Sequence, residues 1–251
     1  MPPGSTLSVV EKRAFAFAEN VRKQATAIVD AAFAQVVFED NKDPKLYGLA
    51  LLCRSISNFQ GALTMARRDQ AVESLTLVRS CWENLFLVHQ LQQDGARFVK
   101  TMRSHEAWGR ISLGEWLLEG HVAADSPFGK TIRDLIKQER FNAPKKLDVK
   151  GTATGGVASM YAAYAELSHD AAHPSVSALE RHFRRRDNGR WAMDIAPPFK
   201  PNERLTTLNM ACNALLGVCL AVSGLLGGTS QDQALAALWG RFVGQGMSAA
   251  K

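Results

Sequence analysis

Four titratable side chains crowd one short stretch of the chain, YAELSHDAAHPS, Tyr164 to Ser175. Glu166, His169, Asp170 and His173 fall at offsets 0, 3, 4 and 7, so on a helix they share one stripe. Tyr161, Ala165, Ser168 and Ala172 form a neighbouring, mostly apolar stripe that faces the core. Pro174 must end that helix, because the residue before a proline is pushed out of the α region. In the last turn the backbone dipole favours a cationic imidazole, and Asp170 or Glu166 would push the same way. His173 is thereby placed for general acid or base work near neutral pH. The plainer reading makes His173 a cap on free carbonyls, with His169 and Asp170 as solvated helix surface. A zinc alternative takes two imidazoles and a carboxylate from Glu166, His169 and His173. With no HExxH order and no second such cluster in the chain, neither a metal nor another cofactor is expected.

A second constellation lies in LTLVRSCWENLFLVHQL, Leu75 to Leu91, where Arg79 and Glu83 stand four apart among Leu75, Val78, Trp82, Leu85 and Phe86. LLCRSISNF repeats the setting around Arg54. An arginine in an apolar helix is costly unless paired, so Arg79 and Glu83 read as an ion pair tying helices together. The functional alternative lets Arg79 or Arg54 reach the His173 region and bind an anion. The third feature is Arg184-Arg185-Arg186. In a strand at most two of these share a face, and they read either as a solvated edge or as a phosphate contact.

Those residues need elements to hold them, and helix signals come in series. Ser8 with Glu11 forms a capping box ahead of a long amphipathic helix, Val9 to Glu39. Asp43-Pro44 starts a second helix running to about Arg68, Asp69 can cap a third through Gln92, and Asp94 opens a fourth. Ser126-Pro127 starts a shorter helix ending near Arg140. Asn142 to Gly156 has the composition of an exposed loop, and a helix resumes at about Val157. Within Leu179 to Ile195, Asn188-Gly189 signals a two-residue hairpin turn with Phe183 and Trp191 on its arms. Two helices follow, about Asn202 to Leu226 and Gln231 to Val243. The fold class expected is all-α, a multi-helix bundle with one inserted β-hairpin near residues 179–195. It reads as a single helical domain over residues 1–251. A long N-terminal helix occupies 1–42, a helical core 43–141 and a loop 142–156; the motif helix, hairpin and C-terminal helices occupy 157–251. Long amphipathic helices such as the first often bury a face against a second copy, and a homodimer is expected.

Composition fits a soluble protein: 46% hydrophobic, 22% charged, net charge +6. The basic excess permits attraction to nucleic acid without demonstrating it. Cys53, Cys81, Cys212 and Cys219 sit singly in apolar runs, which reads as buried free thiols in a reducing cytosol. The N-terminus has no apolar segment after its first charges, so no secretory signal is expected and the location expected is cytoplasmic. Leu208 to Gly228 is nearly uncharged, but Asn209 and Asn213 interrupt it, so it reads as a core helix and no membrane span is expected.

Arg79-Ser80 with Glu83, then Tyr164, Leu167, Ser168, His173, Pro174 and Ser175, give the motifs R-S-x-x-E and Y-x-x-L-S-x-x-x-H-P-S. Over about residues 45 to 225 the chain resembles an uncharacterised bacterial family of helical proteins that looks related to the HEPN superfamily. The resemblance implies a helical, often dimeric domain. It also implies a metal-independent ribonuclease of a toxin or defence system, with RNA as partner. HEPN ribonucleases use an arginine and a histidine separated by four to six residues. Here Glu166, Leu167, Ser168 and His169 occupy the positions before His173, and none is arginine. A ribonuclease of this kind then needs Arg79, Arg54 or a hairpin arginine such as Arg184 to supply the missing cation. The catalytic group expected is His173, Arg79 and Glu83, with Arg54, Tyr164, Ser168, His169, Ser175 and Arg184 around the substrate. The rival expectation is a non-catalytic dimeric module that binds or senses a protein or ligand not identified by the sequence.

Overall fold

The computed structural model describes residues 7–142, 147–171 and 175–244. Among them stand ten α-helices, one 3-10 helix and one two-stranded antiparallel hairpin, so the chain is an all-α bundle with an inserted hairpin. In order they are α1 (Val9–Gln35), α2 (Pro44–Arg67), α3 (Ala71–Asp94), α4 (Ala96–Gly120), α5 (Pro127–Asn142) and α6 (Val149–Thr152). The 3-10 helix (Gly155–Met160), α7 (Tyr161–Ala171), α8 (Val176–Glu180), β1 (Phe183–Arg185), β2 (Trp191–Met193), α9 (Glu203–Leu226) and α10 (Asp232–Gly244) follow.

The starts of the first two helices obey local chemistry. The Ser8 hydroxyl accepts from the Glu11 amide while the Glu11 carboxylate accepts from the Ser8 amide, which satisfies donors at the start of α1. The Asp43 carboxylate accepts from the Lys45 amide, with Pro44 at the first helical position of α2. α1 ends at Gln35, short of the expected Glu39, because Val36 turns to an extended conformation.

The helix after Asp69 departs from expectation. Asp69 adopts a left-handed φ of 59°, and Gln70 takes the cap position of α3 without a side-chain bond. The Asp69 carboxylate instead accepts from the Phe199 amide and pairs with Arg204, which also pairs with Glu11 at 2.7 Å. An arginine only 8% exposed needs such partners, and a cap was given up to supply one. Asp94 closes α3 and does not cap α4; Gly95, at φ 50°, makes the bend between them.

α3 lies at the centre. It packs against α2, α4, α6, α7 and α9, and α9 in turn packs against α1, α2 and α10. Gly217 of α9 lies so close to Leu85 that an added Cβ would stand 3.0 Å from its methyls, while Gly224 lies against Gln92. The two helices therefore run parallel in tight contact. By length and composition α9 could cross a membrane, yet Leu208, Ala211, Cys212, Leu215, Val218 and Val222 are buried against its neighbours. Phe59, Trp82 and Phe86 are among the largest buried side chains, and α1, α2, α3, α7, α9 and α10 contribute to one continuous apolar cluster. α4 and α5 pack on each other around a separate small cluster of Ala107, Ile111, Ile132 and Ile136.

The expected loop at 142–156 is more ordered than its composition suggests. α6 forms inside it, capped by the Asp148 carboxylate, and Thr152, Ala153 and Val157 are buried. The following helix begins earlier than Val157, as a 3-10 turn at Gly155. The hairpin register pairs Phe183 with Met193, Arg184 with Ala192 and Arg185 with Trp191. Its turn has three residues, not two: Arg186 donates to the Arg190 carbonyl at 2.8 Å, Gly189 donates back to Arg186, and Gly189 has φ 78°. That is a three-residue hairpin loop ending in a left-handed glycine.

Candidate functional site

The two sequence motifs meet in space. Arg79 and Glu83 are one turn apart on α3, and their side chains join at 2.7 Å. Arg79 Nε donates to Ser168 Oγ at 2.9 Å, and Arg79 Nη2 donates to Tyr164 Oη at 3.2 Å, both across to α7. Tyr164 Oη donates onward to Glu83 Oε1 at 3.0 Å, which closes a ring of partners. The guanidinium carbon lies 5.4 Å from the Tyr164 ring centroid, where the ring's negative face attracts it. Phe86 seals the inner side, edge-on to Tyr164 at 5.6 Å, with Tyr161 and Trp82 beside it.

Local structure explains the aim of each group. Arg79, Glu83 and Phe86 recur at helical spacing on the stripe of α3 that α7 covers. On α7 the inward residues are Tyr164 and Leu167, with Ser168 part-buried beside them and Glu166 exposed. The buried centre of α7 thus includes Tyr164 and Leu167, beside the stripe expected from Tyr161, Ala165 and Ser168. The Ser168 hydroxyl spends its proton on the Tyr164 carbonyl at 2.9 Å while accepting from Arg79. A serine committed in that way is a tie between helices and not an activated nucleophile.

Arg79 keeps one face for other work. Nε and Nη2 are engaged, while Nη1 has no hydrogen-bond partner among the described residues. Its side chain is 21% exposed and that of Glu83 is 27% exposed, so the pair lies at the protein surface with its inner edge buried. Further along α3, His89 and Gln93 bond each other at 2.9 Å, and Gln90 and Gln93 accept from Thr154. These residues continue the polar stripe towards α6. The sequence shows them only as a run of polar positions, HQLQQ, with no spacing that points to Thr154.

Other expected site residues lie elsewhere or outside the description. His173 is outside the described residues, as are the side chains of His169 and Asp170. Arg54 is exposed on α2, so it is not the apolar-helix arginine in need of a partner that its neighbours suggest. Ser175 caps α8 by accepting from the Ala178 amide. Arg184 is exposed and pairs with Asp194 at 3.0 Å on the hairpin. No group of three His, Cys, Asp or Glu residues suited to a metal stands among the described residues. A cavity of about 820 Å³ between α4 and α5 shares no lining residue with the motif network, nor does a cleft of about 190 Å³ between α3, α4 and α6.

The cysteines divide. Burial pushes the Cys81 thiol up to about 12 and raises Cys212 and Cys219 well above the usual thiol range. Cys53 is exposed, contrary to the expectation that all four are buried, because its position on α2 faces away from the bundle.

A family model described as a family of unknown function, DUF5677, matches residues 45–190. The chain belongs to that family. The DUF5677 match begins at the first turn of α2 and ends in the hairpin turn, so it contains both halves of the Arg79–Tyr164 network and leaves α1, α9 and α10 outside. Comparison with curated proteins and with solved structures finds no significant match.

Proposed function

We propose that this DUF5677 chain is an RNA-directed, HEPN-like protein that cleaves RNA without a metal. One observation carries the reading: Arg79 Nε reaches Ser168, which stands five residues before His173. That is the spacing from which HEPN ribonucleases present their own arginine. A guanidinium delivered across from α3 takes the place of the one missing from α7. In this mechanism His173 removes the proton from a ribose 2′-hydroxyl, and the oxygen attacks the adjacent phosphorus. The 5′-oxygen leaves and takes up a proton from water to become a 5′-hydroxyl, and the other product carries a 2′,3′-cyclic phosphate. Arg79, through Nη1, which has no partner among the described residues, stabilises the charge that grows on the phosphoryl oxygens. Glu83 and Tyr164 are positioning residues that hold the guanidinium flat against α7.

The test is cleavage of mixed RNA by the purified full chain in EDTA, with His173→Ala and Arg79→Ala beside it. Cleavage is expected for the wild type, with losses of about 10²- to 10³-fold in either variant, the worth of one transition-state donor. Equal, negligible cleavage by wild type and His173→Ala overturns the reading. A second reading has its own support, because Glu83, Tyr164 and Ser168 turn their polar atoms inward on one another, as in a lock between helices. It describes a non-catalytic binding module, dimeric through α1, where Val9, Val10 and Phe33 are exposed. A wild type that cleaves nothing and runs as a dimer in light scattering supports it; a non-cleaving monomer refutes it.

A further inference from the structure

The hairpin has two unlike faces. In an antiparallel pair, residues opposite each other share a side of the sheet, as do alternate residues along a strand. Arg184 and Ala192 therefore lie on one face, where Ala192 is buried and Arg184 is tied to Asp194. Phe183, Arg185, Trp191 and Met193 lie on the other, with Trp191 67% exposed. Phe183 and Trp191 meet edge to face at 5.7 Å and 79°, which steadies both rings while leaving indole surface open. Large exposed apolar side chains gathered on one face mark a contact surface.

Charge says what the contact is with. Arg181 is held by Glu203 and Arg184 by Asp194, so both are neutralised within the fold. Arg185, Arg186 and Arg190 are exposed, and among the described residues only the Arg185 guanidinium has a partner, the Gly189 carbonyl at 3.4 Å. Between Arg185 and Arg190 the sequence has one carboxylate, Asp187. By the same alternation Arg185 shares the aromatic face, while Arg186 and Arg190, paired at 2.8 Å next to the turn, belong to the other face. A flat aromatic surface with Arg185 beside it and two more arginines at its turn end suits a polyanion with π-faces of its own. The hairpin tip is Asp187-Asn188-Gly189, polar where a membrane-inserting tip would be apolar.

We infer that the Phe183–Trp191 face of the hairpin is a stacking platform for single-stranded RNA, with Arg185 beside the rings holding a phosphate and Arg186 and Arg190, at the turn end of the other face, adding to the basic field. The inference rests on the RNA-directed reading and assigns its substrate-binding surface. α8 packs on both α7 and β1, so the platform is built onto the helix that Arg79 holds. Bases stack on Trp191 whatever their identity, because every base has a π-face. Sequence preference is accordingly weak and salt dependence strong.

Binding is read apart from cleavage by fluorescence anisotropy with a 2′-O-methyl uridine 12-mer, which lacks the nucleophilic hydroxyl. Trp191→Ala, at an exposed position, should weaken binding about 5- to 150-fold, the worth of one stacked base, and Trp191→Phe should recover most of it. Arg185→Ala should flatten the slope of log affinity against log salt by about 0.7, and Arg186→Ala, on the other face, by less. Unchanged affinity in Trp191→Ala overturns the platform. So does a wild type that ignores the 12-mer but binds vesicles of phosphatidylserine and phosphatidylcholine. If Trp191→Ala binds normally while His173→Ala abolishes cleavage, the platform alone has failed. If the wild type neither binds nor cleaves RNA, both have failed.

Discussion

Replacing Arg79 with methionine tests the motif network most directly. The variant keeps an unbranched stem in the groove between α3 and α7 and removes the guanidinium, and with it the bonds to Ser168 and Tyr164 and the pair with Glu83. Breaking one side of a buried ion pair costs about 3–5 kcal/mol, whereas an exposed pair is worth about 0–1 kcal/mol. Side chains 21% and 27% exposed fall between those limits. A loss of about 2 kcal/mol is expected, or roughly 4–8 °C in Tm at the ~2–4 °C per kcal/mol of a chain this size. Tyr164→Phe removes a hydroxyl that accepts from Arg79 and donates to Glu83, at a cost of about 1–2 kcal/mol. Both variants lose the Arg79–Tyr164 bond, so the double variant should lose about 1 kcal/mol less than the sum. Urea titration and thermal melting by circular dichroism of the four proteins give the cycle. Additivity within about 0.5 kcal/mol refutes the network, because independent sites add to that precision.

Two further outcomes follow from the titratable groups. The Asp232 carboxyl is held below its ordinary value, chiefly by the Ser223 hydroxyl and then by Thr229, against the opposing pull of burial. A depressed carboxyl stabilises the fold above its unfolded value near 3.8, and that contribution fades as pH falls through the lower folded value. Asp232→Asn should therefore be less stable than wild type at pH 7, with the gap closing below about pH 4 in acid titrations; a gap that widens in acid contradicts the assignment. Ellman's reagent should find one reactive thiol in the folded protein, at Cys53, and all four only after unfolding in guanidinium; fast reaction of a second thiol would show that Cys81, Cys212 or Cys219 is not enclosed.

Local rules carried the sequence reading a long way. Capping chemistry located the starts of α1 and α2, and a nearly uncharged apolar run gave α9 nearly to its ends, because each signal is written in contiguous chain. The ion pair of Arg79 and Glu83 was legible for the same reason. What it grips was not: Tyr164 and Ser168 lie 85 and 89 residues away, and no spacing rule spans that distance. Asp69 shows how a local rule fails. It has the residue type of a cap, but Arg204, 135 residues on, needs a carboxylate more than α3 needs a capped amide. Arg54 fails in the opposite sense, since its apolar neighbours point inward and it points out. Asn188-Gly189 was correctly a turn, but the register that makes it a three-residue loop is set by the pairing of Arg185 with Trp191.

The parallel contact of α3 with α9 also sets a timetable for biosynthesis. About 130 residues separate the end of α3 from the end of α9. At the ~5–20 residues per second of translation, the apolar flank that Leu85 offers to Gly217 waits roughly 7–26 s for its cover. During that interval α1, α2 and α3 hang from the ribosome as an open-sided assembly. The last long helix to be made is the one that completes the centre. Truncation before α9 should therefore send the chain to aggregation rather than to a smaller fold.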